Sequence, residues 1–85
     1  MTRNEILKNL KEILRTVKTV DEAAIDSLTE ESDFFLDLNV PSTDLINIIA
    51  KAEVKLGIEF SDDDVDKLDS KVATTINLIE KVLKK

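Results

Sequence analysis

Apolar residues recur along this chain at spacings of three and four, the period of one helix face, and nothing in it reads as a strand. Ile6, Leu7, Leu10, Ile13, Leu14 and Val17 form the first stripe. Thr2-Arg3-Asn4-Glu5 ahead of it has the spacing of a capping box, in which Glu5 reaches back to the cap. The pattern predicts a first helix from Arg3 to Val17. A second stripe, Leu45, Ile48, Ile49, Ala52 and Leu56, predicts a helix from Ser42 to Leu56. Pro41 cannot sit deep in a helix and so fixes its start, Asp44 suits the positive end of the dipole, and Gly57 stops it. Ser61 followed by Asp62, Asp63 and Asp64 marks the start of a short third helix, with Val65 and Leu68 inward. Ser70 is expected to cap a last helix from Lys71 to Leu83, whose stripe is Val72, Ile76, Ile79 and Leu83.

Residues 18–41 form a long connection between the first two stripes. Its apolar residues, among them Val20, Ile25, Leu28, Phe34, Leu38 and Val40, argue against disorder. It is expected to lie over the core, pinned by Phe34 and Leu38, with a short turn of helix within Asp21–Leu28. The predicted fold is all-α: a small four-helix bundle, three helices longer and one short, with a long loop between the first and second. The predicted core is Leu7, Leu10, Leu14, Phe34, Leu38, Ile48, Ile49, Ala52, Ile58, Leu68, Ile76 and Ile79.

Eighty-five residues suffice for one domain, 1–85, with a small core. Cysteine and histidine are absent, so the chain has no disulfide framework, no thiol nucleophile and no neutral-pH imidazole base. It is not equipped as an independent enzyme. The net charge of −6 argues against nucleic acid as a partner and suits partners with basic patches. The charge is uneven, because five of the basic residues fall within 1–18 and none falls between Lys18 and Lys51. No apolar segment suggests a secretory signal or membrane insertion. Asp62, Asp64 and Asp66 imitate the start of an EF-hand loop, but Lys67 stands where Gly is needed and Ala73 where the bidentate Glu is needed, so no metal site is expected.

Ser42 is the residue of most chemical interest. By position alone it is a helix cap, and its hydroxyl is a poor nucleophile without a base. Its surroundings, Asp33 to Phe60, resemble the region around the prosthetic-group serine of acyl carrier proteins. Phe34, Asp37 and Leu38 fall on that family's F, D and L; Ser42 falls on its serine; Leu56-Gly57-Ile58-Glu59-Phe60 falls on its helix end without a gap. Asn39 stands where the family has Gly, a position where left-handed φ is tolerated by Asn. Pro41 replaces an Asp and Thr43 a Leu.

The resemblance implies that a phosphopantetheinyl transferase attaches 4′-phosphopantetheine to the Ser42 oxygen. The arm's thiol would hold an acyl group as a thioester, for delivery to acyl-loading and acyl-transfer enzymes of fatty acid, lipid or polyketide-type synthesis. It implies a cytoplasmic monomer whose aliphatic core admits an acyl chain. Thr43, Asp44, Asn47, Lys51 and Lys55 are the expected partner-binding positions. Lys51 and Lys55, four apart, would form a local positive patch on a helix that is mostly acidic in general fatty acid carriers, which points to a divergent, specialised member. The alternative is an unmodified helical interaction module on the same scaffold, with Ser42 as a plain cap; Pro41 and Thr43 favour it.

Overall fold

A computed structural model describes residues 1–18 and 20–84. The elements are α1 (Arg3–Leu14), α2 (Glu22–Asp26), α3 (Ser42–Leu56), α4 (Asp62–Asp66) and α5 (Val72–Leu83). The fold is all-α, as the periodicity predicts, with α1, α3 and α5 the longer helices and α4 the short one. The helical turn expected within Asp21–Leu28 is α2, capped by the Asp21 carboxylate. No helix among the described residues is long and apolar enough to cross a membrane.

Local chemistry accounts for the helix ends. Thr2 and Glu5 close the capping box of α1, and Ser61 and Asp64 close another on α4. Gly57 ends α3 at φ +65°, the left-handed conformation that costs a glycine least. Two boundaries differ from the sequence reading. α1 stops at Leu14, although the apolar stripe continues to Val17. Thr16 and Val17 bond three residues back, to Ile13 and Leu14, and the Thr16 hydroxyl also donates to the Ile13 carbonyl at 2.6 Å. The side chain thus competes for an acceptor of the last turn and tightens the chain out of the α-helix. Ser70 does not cap α5: Lys71 holds the N-cap position with extended backbone, and Ser70 is committed elsewhere.

That other commitment is to the long connection. Asp33 and Lys71 form an isolated antiparallel bridge. Phe34 N–H donates to the Ser70 carbonyl at 2.7 Å, and Val72 N–H to the Ser32 carbonyl at 3.0 Å. The Ser70 hydroxyl donates to Asp33 Oδ2 at 2.8 Å, while Asp33 Oδ1 accepts from the N–H groups of Phe35 and Leu36. Because Lys71 is held extended by this bridge, α5 can begin only at Val72.

The core joins all the longer helices to the connection. Phe34, Leu38, Leu10, Leu14, Ile48, Ile49, Ala52, Ile76 and Ile79 are buried, as expected. Leu7, Ile58 and Leu68 are only half-buried, packing against the core from its edge. Ile6 takes the central place instead of Leu7, in line with Leu10, Ile13 and Leu14 on the face that α1 turns inward. Ile25, Leu28 and Val40 bring the connection into the same core. Arg3 donates to Glu30 at 2.8 Å and to Asn77 at 2.7 Å and pairs with Glu80, so the start of α1 is tied to the connection and to α5.

The Leu36 N–H and the Ser70 hydroxyl, with the Phe35 N–H, hold the Asp33 carboxyl below its usual range. A carboxyl whose pKa is depressed by folding stabilises the fold above its unfolded value, about 3.9, and loses that contribution as pH falls through the folded value. Asp33→Asn should therefore lower the thermal midpoint at pH 7. The gap to the unsubstituted chain should narrow below about pH 4. Melts followed by circular dichroism across that range test it; a gap independent of pH would exclude the carboxylate as its source.

Candidate functional site

The approach to Ser42 is built by the turn before it. Asp37 N–H donates to the Asp33 carbonyl at 2.9 Å, and the Asp37 carboxylate accepts from Asp33 N–H at 2.7 Å. Val40 N–H donates to the Phe34 carbonyl at 2.9 Å. Between them Asn39 lies at φ +54°, so the asparagine does take the left-handed conformation expected of it. With Phe34, Leu38 and Val40 buried, Asn39 and Pro41 are left at the surface.

Ser42 is not the cap of α3. Pro41 occupies the N-cap position at φ −62° and ψ 151°, and Ser42 is the first helical residue. The first backbone bond of the helix runs from Leu45 N–H to the Pro41 carbonyl, at 3.0 Å. The N–H groups of Ser42, Thr43 and Asp44 therefore precede the helical ladder. No side chain caps this end, so the Ser42 hydroxyl is not drawn into the helix, and Ser42 is exposed. Asp44, two residues on, projects from the other side of the helix and does not crowd the hydroxyl.

These features fit a phosphodiester-linked group. The hydroxyl is accessible, and the free amides and positive dipole end beside it favour an anion. No imidazole exists in the chain to activate the hydroxyl.

The other expected site residues divide. Thr43 and Asn47 are exposed on the outer side of α3. Asp44, Asn47 and Lys51 border a hollow of about 330 Å³ with Thr16, Val17 and Lys18. Lys51 Nζ donates to the Thr16 hydroxyl at 2.8 Å, and Lys55 Nζ pairs with Glu12 at 2.9 Å. The two lysines thus bridge the seam between α1 and α3 and do not form a free patch on α3 alone. The Lys55 ammonium holds the Glu12 carboxyl below its usual range, so much of the Lys55 charge is compensated. Sequence reasoning also missed Ile46 and Val54, which stand exposed on α3 at 57% and 86%. Both lie off the buried stripe of Leu45, Ile48, Ile49 and Ala52, and that displacement was the available signal.

The phosphopantetheine attachment site family matches residues 11–79. An acyl carrier protein of Coprothermobacter proteolyticus is 36% identical over 80 residues, which span 94% of this chain and 93% of that protein. The acyl carrier protein of Thermobifida fusca is 34% identical over 94% of this chain and 96% of its own. That of Lactobacillus acidophilus is 34% identical over 80% of this chain and 81% of its own.

The left-handed turn before Ser42 makes a prediction about residue 39. Asn39→Gly should be tolerated, because glycine adopts positive φ freely. Asn39→Val should cost about 1–3 kcal/mol, since a β-branched residue is strained there. Urea denaturation of both variants decides the matter; equal stabilities would mean that the turn relaxes to negative φ.

Proposed function

The chain belongs to the acyl carrier protein family, whose prosthetic group is 4′-phosphopantetheine, and from that premise we propose that Ser42 is the attachment point and that the chain is a specialised carrier. The observation that carries the reading is the exposed hydroxyl on the first residue of a helix that no side chain caps. The attached group would supply a thiol able to hold an acyl chain as a thioester. The protein's part is to present and orient. Asn39 turns the chain, Pro41 stiffens the approach, and the amides of the first turn take up phosphate charge. Its partners on this reading are a phosphopantetheinyl transferase and the acyl-loading and acyl-transfer enzymes of lipid or polyketide-type synthesis.

Specialisation is supported by the charge of α3. Asp44 and Glu53 are offset by Lys51 and Lys55, and the Glu53 carboxylate is turned to accept from Phe60 N–H at 2.9 Å. A basic patch on a general synthase enzyme would meet little attraction here, which chiefly slows association. Thr43, Asp44, Asn47, Lys51 and Lys55 are the positions we assign to partner recognition.

Co-expression with a broad-specificity phosphopantetheinyl transferase should add one phosphopantetheine, read by intact mass, and Ser42→Ala should prevent the addition. A chain that stays unmodified with several transferases would be the unmodified interaction module instead. Pro41 removes a charge and a donor beside the serine. Pro41→Asp should therefore raise the modification rate several-fold, and an unchanged or lower rate would clear Pro41 as the obstacle. Lys51→Glu should raise turnover of the loaded carrier by the host's general ketosynthase, by about tenfold at low salt. Turnover already equal to that of the host's main carrier, and insensitive to the reversal, would rule out dedicated partners.

A further inference from the structure

We propose that the groove between α1 and α3 docks a partner segment that is apolar along one face and acidic along its flanks. This inference deepens the carrier reading, on which it rests for its purpose, by assigning the chemistry of the partner.

The groove encloses about 440 Å³, with Ile13, Ala50 and Val54 along its apolar part and Glu12, Lys51 and Lys55 at its rim. Val54 is 86% exposed, and Ile46, also exposed, lies two turns nearer Ser42. Valine is neither a strong helix former nor a solubilising residue, so its exposure on α3 serves neither the helix nor the surface. Angular position explains the exposure: residues 46, 50 and 54 follow one another at four-residue steps, away from the buried stripe. The result is a strip without charge that descends from the serine end of the helix.

Charge selects the occupant. Lys8, Arg15 and Lys55 all act on the Glu12 carboxyl, and Lys51 reaches across to Thr16. Three cations thus act on one carboxylate, Lys51 adds a fourth positive charge at the rim, and Asp26 pairs with Arg15 at 3.1 Å. The rim is positive in a chain whose net charge is −6. A large anionic surface such as a bilayer would confront that net charge and the acids of α4, whereas a short acid-flanked segment meets the rim alone. A helix with leucines at three- and four-residue spacing and glutamates beside them satisfies both the strip and the rim.

The test uses the full chain labelled with nitrogen-15, as expressed and again as Ser42→Ala, so that its result stands apart from modification, which mass reports separately. The probe is a helical peptide of about 16 residues with a leucine face flanked by glutamate. Its twin carries lysine for each glutamate. The acidic peptide should shift the amides of Ile13, Thr16, Ala50 and Val54 saturably, and the twin should bind at least about tenfold more weakly. Val54→Glu and Lys51→Glu, both at exposed positions and checked for folding by circular dichroism, should each weaken the acidic peptide by about tenfold. The proposal is overturned if the acidic peptide does not bind, if its shifts fall outside the groove, or if the twin binds equally. It is also overturned if the same amides respond instead to phosphatidylglycerol vesicles, or to the concentration of the chain alone, which would make the occupant a lipid surface or a second copy.

Discussion

Two short stretches far apart in sequence, Ser32–Phe34 and Ser70–Val72, are held together by a pair of backbone hydrogen bonds, and the rest of the molecule is arranged around that junction. The connection before α3 is long and has weak local preferences, so closing it costs entropy that something must offset. Phe34, fully buried beside the junction, supplies the apolar burial, at about 25 cal/mol per Å². Asp33 supplies the direction, because one carboxylate receives the Ser70 hydroxyl and two amides of the turn that follows. Once that turn is fixed, Asp37 and Val40 can close only one path to Pro41. The start of α3 is thereby set by contacts made with the start of α5.

Charge is handled locally throughout this acidic chain. Acids gather at helix starts, where Glu5 and Asp64 complete capping boxes and favour the dipole. Arg3 collects Glu30 and Glu80 at one end of the bundle, and Lys55 takes Glu12 at the α1–α3 seam. These pairs are partly exposed, and each contributes little stability by itself. Their effect is to leave different faces with different fields: α4 acidic, the seam basic, and the outer strip of α3 neutral.

The helices, the turn at Asn39 and the stop at Gly57 were legible because each rests on a local rule: period, capping, or positive φ. What escaped depends on partners distant in sequence. Ser70 reads as a cap until Asp33 claims its hydroxyl. Val17 reads as helical until the Thr16 hydroxyl takes the Ile13 carbonyl. Lys55 reads as a free cation until α1 packs beside it and brings Glu12 within 2.9 Å. Leu7 and Ile6 are adjacent and similar, and only the angle at which α1 lies on the bundle decides which is central.

Ser42 was legible as the start of α3, but Pro41 and not Ser42 holds the cap position, and that difference bears on the chemistry of the hydroxyl. A serine at the N-cap turns its oxygen back to accept from the amide two or three residues on. Such a hydroxyl is occupied, and it also consumes a donor that could bind an anion. At the first helical position neither happens. Pro41 makes this arrangement stable, because proline at the cap has no N–H to leave unpaired and its extended backbone still offers a carbonyl to Leu45. The same proline that departs from the family's pattern thus leaves the serine hydroxyl free and the first-turn amides open. Its effect on the approach of a transferase is a separate matter, because that depends on what the enzyme must grip beside the serine and not on how the serine is held.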